Sequence, residues 1–331
     1  MPPACPRRYW IRTLPHRNRL ALVLALVAAL LWGLLPLVLQ FITPALDAYT
    51  ITWCRFLAAG LMVGLFLARR GQLPNPLRLA TPLRPLLLIA VAGLTLNYTL
   101  FVVGLRLISP ATAQVVFQSA NLFVLLGGLV VYHEHFSRLQ WLGAAVLVAG
   151  LVLFFNRRLP LLFGAHSELG LGVLLVAVSA LSWASYGLVQ KRLLREWSSA
   201  QLLWILYMGG ALLLTPLAHP TNLRLLNAPQ SWALLFCCLN TLVAYGAYAE
   251  AMHLGQVTRI SATVAVSPLF TALASVLAAG WLLPLHAAET PNFLTFAGVA
   301  AVVGGSALCA LGAAGPGQAR GQPGGALKPL P

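Results

Sequence analysis

Three amides, spaced four and then three residues apart, carry the clearest chemistry in this chain. Gln114, Gln118 and Asn121 lie in an apolar run, and a helix places that spacing on one face. Amides both donate and accept hydrogen bonds, so the stripe suits an uncharged or zwitterionic solute. The other reading is hydrogen bonding between helices, common for Gln and Asn in membrane bundles. Asn97 and Tyr98, in an earlier apolar run, are candidates for the same space. A second face holds Thr241, Tyr245 and Tyr248, which fall within about 60° of one another at about 100° per helical residue. Glu250 points nearly opposite that face. An acid within a span is a candidate to carry a coupling proton. The alternative places Glu250 at the cytoplasmic interface beside His253 and Arg259. Arg55 reads as a cation that snorkels outward to the headgroups or lines an outer mouth.

These residues need long apolar elements to hold them, and the composition supplies little else. Sixty per cent of the 331 residues are hydrophobic and 8% are charged, against roughly a quarter charged in soluble domains. The apolar residues fall in runs close to a bilayer span, about 20 residues in a helix. Ten are expected, at 20–40, 48–68, 85–105, 111–132, 140–156, 169–190, 199–218, 231–252, 258–283 and 293–312. Barrel strands would be shorter and strictly alternating, so the expectation is an all-α integral membrane protein. The net charge of +15 does not indicate nucleic acid, because of where the charge sits. Arg7, Arg8, Arg12, Arg17 and Arg19 precede the first span, Arg69, Arg70, Arg78 and Arg84 follow the second, and Lys191, Arg192 and Arg195 follow the sixth. That bias puts the N-terminus in the cytoplasm, and an even number of spans returns the C-terminus there. Arg157 and Arg158 fall on the outer side.

The chain also repeats itself. Trp141–Gly150 has a second copy at Phe296–Gly305, and each follows a glutamate, Glu134 or Glu289, nine residues ahead of its first glycine. Trp32 and Trp53 recur as Trp183 and Trp204, offset by 151. Asn97-Tyr98 and Phe101 match Ala244-Tyr245 and Tyr248, offset by 147. Residues 20–156 and 169–312 therefore read as two five-helix copies, with a basic tail at 1–19, a linker at 157–168 and a disordered Gly/Pro/Ala tail at 313–331. Duplication in a polytopic chain is the usual trace of a transporter with its site between the repeats.

Particular residues give this pattern a family likeness. Leu31-Trp32-Gly33 resembles the Trp-Gly signature of the EamA unit of the drug/metabolite transporter superfamily, and Arg55-Phe56-Leu57 resembles its Arg-Phe element. The run from Ile108 to Gln114, His133-Glu134 and Gln140-Trp-Leu-Gly143 are similar to its small-polar entry, closing glutamate and Gln-x-x-Gly. Ser267-Pro268-Leu269-Phe270 matches the proline of its ninth helix. Ala120 stands where the first half would carry its proline, and Glu289 is displaced by an insertion around Trp281 to Ala288. The resemblance implies ten helices as two inverted repeats, alternating access, and passage of small metabolites.

Structural roles are expected for the remaining landmarks. Trp32 and Trp183 pack or anchor, Pro36 and Pro268 kink their helices, and Glu134 is an interfacial hinge or cap. Gly60-x-x-x-Gly64 and the Gly143/Gly150 and Gly298/Gly305 pairs allow close packing. Cys54, Cys237, Cys238 and Cys309 sit in apolar runs with no Cys-x-x-Cys, so neither metal nor cofactor is expected. There is no P-loop, Gly-x-Ser-x-Gly or His-Glu-x-x-His. The reading is a non-enzymatic secondary transporter in a bacterial inner membrane. Its cargo would be a small amino-acid-like, polar or amphipathic solute, with export favoured. An integral-membrane enzyme or a non-transporting subunit is the alternative.

Overall fold

The computed structural model describes residues 15–76, 80–133, 135–162, 164, 167–278 and 292–312. Glu134, Glu289, the Trp281–Ala288 insertion and both distal tails lie outside the described residues. Among the described residues the regular structure is helical: α1 (Pro15–Ile42), α2 (Ala48–Arg69), α3 (Arg84–Leu105), α4 (Pro110–Phe117), α5 (Ser119–Tyr132), α6 (Arg138–Phe154), α7 (Leu159–Leu162), α8 (Glu168–Leu193), α9 (Ser199–Leu214), α10 (Ala228–Leu254), α11 (Val257–Val264), α12 (Ser267–Ala278) and α13 (Phe293–Gly312). Among the described residues eight stretches are long and apolar enough to cross a membrane, counting α4 with α5 and α11 with α12 as one each; α6 and α9 are shorter apolar helices.

Short polar codes start these helices. Ser137/Gln140, Ser198/Gln201 and Asn227/Gln230 each form a reciprocal capping box, at the heads of α6, α9 and α10. Asp47 caps α2, its carboxylate accepting from the Thr50 N–H at 2.9 Å and from the Thr50 hydroxyl at 2.6 Å. Large apolar side chains such as Leu88, Val130, Leu212 and Trp232 stand exposed around the bundle. A surface that apolar belongs in hydrocarbon rather than water.

Glycines set how the two copies meet. A Cβ on Gly150 would stand 2.6 Å from the Val302 nitrogen, and one on Gly143 would stand 2.6 Å from the Cys309 nitrogen and 2.8 Å from the Gly305 carbonyl oxygen. Gly298 in turn lies against Gly150 and Phe154. Moving from Gly143 to Gly150 on α6 therefore moves backwards along α13, from Gly305 to Gly298, so the helices are antiparallel. α2 and α9 run the same way, with Gly60 against Met208 and Gly64 against Trp204, and the Trp53 indole N–H donating to the Thr215 hydroxyl at 3.2 Å. Both pairs join counterparts from the two copies, so the second repeat is inverted relative to the first. The rest of the packing is exchanged between copies: α1 packs on α10 as α8 packs on α3, and α1 packs on α12 as α8 packs on α5.

Two spans expected as single helices are interrupted. In the fourth, Gln118 donates its N–H to the Val115 carbonyl (3.2 Å) and Asn121 donates to Gln118 (3.1 Å), a tightened turn between α4 and α5. In the ninth, Val266 donates to Thr263 and Leu269 to Val266, separating α11 from α12. Pro268 therefore does not kink the middle of a helix. It is the second residue of α12, where its missing N–H would have had no partner in any case. Pro36, by contrast, lies inside α1.

Candidate functional site

The two interruptions touch. Pro268 has no N–H, and the Leu269 N–H is turned to Val266, so the carbonyl of Ala265 is left to another donor. Gln118 supplies it, its Nε2 donating to the Ala265 oxygen at 3.1 Å. One turn earlier, Gln114 Nε2 donates to the Ser267 hydroxyl at 3.0 Å. Asn121 Nδ2 donates back to Gln118 Oε1 at 3.0 Å, holding the Gln118 amide in one orientation. The amide stripe is thus one connected set, with Gln114 and Gln118 buried and Asn121 half-buried. Gln114 and Gln118 lie on the line where the fourth span crosses the ninth.

Around this crossing α1 is held by side chains from the second copy. Asn240 Nδ2 donates to the Leu31 carbonyl at 2.7 Å, and the Thr271 hydroxyl to the Gly33 carbonyl at 2.7 Å. Gly33 admits α12, since a Cβ there would stand 2.6 Å from Phe270 Cβ and 2.8 Å from the Ser267 oxygen. Trp32 packs edge-on against Tyr245, ring centroids 5.3 Å apart, and tilted against Tyr248 at 5.4 Å. Trp183, its counterpart, meets the Phe117 ring at 6.3 Å and lies near Tyr245.

Arg55 departs from expectation. It is 3% exposed and does not snorkel outward. Its guanidinium carbon lies 4.5 Å from the centre of the Tyr98 ring, and its Nε donates to the Thr241 hydroxyl at 3.0 Å. That hydroxyl spends its own proton on the Cys237 carbonyl at 2.9 Å, so its lone pairs face the guanidinium. The physical reason is tertiary: α3 and α10 close over this face of α2, and the aromatic ring is a better partner than the route outward. Phe56 lies between Tyr98 (4.7 Å) and Tyr207 (5.5 Å), and Tyr207 and Tyr245 lie near Tyr98.

Two expected members are not drawn in. Asn97 donates to the Ser179 carbonyl at 3.0 Å, tying α3 to α8 while Tyr98 turns to Arg55; it does not share the amides' space. Glu250 is exposed, away from the tyrosine face, one turn before α10 ends at Leu254. Ser267, Thr271 and Tyr207 were not singled out as site residues from the sequence. A hydroxyl seated beside Pro268, and a second four residues on, were the available signal for the first two. Among the described residues no group of three His, Cys, Asp or Glu side chains could hold a metal. A groove of about 770 Å³ lined by Leu162, Ser167, Gly170 and Leu174 lies at the linker and contains none of the candidate residues.

An inverted pair of five-helix repeats meeting through two interrupted helices defines a multi-pass membrane protein of the duplicated-transporter class. The chain belongs to the EamA-like transporter family, whose family model matches residues 19–156 and again 170–311. It is 37% identical over 296 residues to an Escherichia coli K12 protein named "Uncharacterized inner membrane transporter YhbE", covering 88% of this chain and 92% of that one. A Haemophilus influenzae "Uncharacterized transporter" is 34% identical over 293 residues, covering 88% and 95%. A solved structure titled "Crystal structure of protein" shares the fold at a TM-score of 0.60 and 21% identity, over 87% of this chain and 94% of that one.

Proposed function

We propose that the protein is a secondary transporter which moves a small polar or amphipathic solute, amino-acid-like in size, by alternating access between its two repeats. The observation that carries this reading is the contact of the interrupted fourth and ninth spans through Gln118 and the Ala265 carbonyl. Irregular backbone within a bilayer is tolerated where protein buries it or a cavity borders it, and discontinuous helices at a repeat interface are where such folds bind cargo. The relatives named transporters support the class. The arginine bias supports cytoplasmic placement of both termini, and export is the favoured direction. The test is flux: purified protein in proteoliposomes, loaded in turn with a panel of labelled small metabolites. Saturable, counterflow-competent flux of at least one solute is expected. Equal leak with and without protein across the panel would remove the reading.

A further inference from the structure

Arg55 is a permanent cation in a buried place, and the described residues do not neutralise it. No described carboxylate lies within ion-pair distance of it; Asp47, paired with His219, sits at the N-terminal cap of α2. A guanidinium has five N–H donors. Among the described residues one of them, Nε, has an acceptor, and that acceptor is a neutral hydroxyl. Buried arginines are ordinarily paired, because removing an uncompensated charge from water is unfavourable. The Tyr98 face offsets part of this but leaves the fork of the guanidinium without an anion.

The surroundings define what would complete it. One unit of positive charge matches a monoanion; a phosphate dianion would leave negative charge in excess. A planar fork of donors matches the two oxygens of a carboxylate. The walls are aromatic: Phe56, Tyr98, Tyr207 and Tyr245, with Trp32 beyond Tyr245. Tyr245 and Trp32 keep part of their surface accessible. We propose that Arg55 is the anchor for a carboxylate on the transported solute, and that this solute is a small monocarboxylate with a flat apolar body that stacks among these rings. The proposal rests on the transporter reading in one respect, that the bound carboxylate belongs to the cargo.

Benzoate and its neutral isostere benzamide are the probes. Intrinsic tryptophan fluorescence of the purified full-length protein, with Trp32 beside the rings, is titrated with each, in wild type, Arg55→Gln and Arg55→Lys. Wild type should bind benzoate saturably and prefer it to benzamide by at least about tenfold, as sites built for a polar group reject analogues lacking it. Arg55→Gln should bring the two affinities together. Arg55→Lys should keep the sign of the preference and lose several-fold of its size, since an ammonium has the charge without the fork. No response to millimolar benzoate, or equal binding of the two probes to wild type, overturns the proposal. Should Arg55→Gln fail to fold, Arg55→Lys decides, and an unchanged preference there overturns it. Proteoliposome flux is scored separately. Absence of any flux removes the transporter reading and leaves the binding result standing, whereas benzoate binding with flux of neutral solutes alone removes the carboxylate as cargo.

Discussion

Gln118 shows why a buried amide in a span has two roles at once. Its Nε2 serves a carbonyl that the ninth span does not satisfy, and its Oε1 fixes Asn121. Gln118→Leu preserves volume but strands both, and leaving a buried polar group unpaired costs about 1–3 kcal/mol. We expect the variant to insert, to melt earlier in a detergent thermal scan, and to lose or re-specify flux; wild-type melting and kinetics together would return the amide to a bystander. Asp47 gives a pH-dependent prediction. Desolvation pushes its carboxyl up, but the two bonds from Thr50 and the nearby His219 outweigh it, and the net shift is downward. A lowered folded pKa means the cap stabilises fully above the ordinary carboxylate value and is lost as pH falls through the lowered one. Asp47→Ala should therefore cost about 0.5–2 kcal/mol at neutral pH, and the gap between the two melting curves should close in acid. A gap that persists unchanged at low pH would show that the carboxylate's charge is not what holds the cap. Glu250, exposed and away from the tyrosines, should tolerate Gln with the wild-type pH profile of flux. A flattened profile would reinstate it as the coupling acid.

The helices were mostly legible in the sequence, because apolar run length and capping boxes are local signals; Ser137-x-x-Gln140 and Ser198-x-x-Gln201 each mark a start that the structure adopts. The duplication was legible for the same reason, since copies can be matched without knowing how they pack. What escaped was set by partners distant in sequence. The interruption at Gln118 has no glycine or proline to announce it, and in the ninth span the proline lies after the break rather than at it. Arg55 lies deeper than snorkelling would put it because its depth depends on α3 and α10 covering α2, which hydropathy cannot register. Asn97 and Tyr98, neighbours in sequence, turn to different helices. At this scale the sharpest test is the α6–α13 seam. A Cβ at Gly305 would stand 2.5 Å from the Leu147 nitrogen and 2.7 Å from the Gly143 oxygen. Both are backbone atoms that no rotamer change can move. Gly305→Val should force the helices apart and cost about 1–3 kcal/mol or more, whereas Gly304→Val, with open space around it, should melt as wild type does. Equal melting of the two variants would show that the seam is not tight.

Across the whole molecule, antiparallel pairing of counterpart helices requires the two copies to enter the bilayer from opposite sides. If both termini are cytoplasmic, as proposed from the arginine bias, the linker that follows Arg158 must be outside. A cysteine placed there in a background without the native thiols should react with an impermeant maleimide added to intact cells. Labelling that needs access from the cytoplasm would contradict the orientation. Inversion has one more effect. If the two copies were identical, the form open to one side and the form open to the other would be the same object turned over, and would have equal energy. The bond at the centre is not shared equally: the first copy supplies the glutamine, and the second answers with the Ala265 backbone carbonyl, beside Ala265 and Val266 side chains that have nothing to donate in return. The bond therefore cannot be mirrored when the molecule inverts. If the repeats alternate as proposed, the chain has a built-in resting side, set by which copy holds the amide; that bias shifts the populations of the two forms and cancels over each complete cycle, whatever the solute carried.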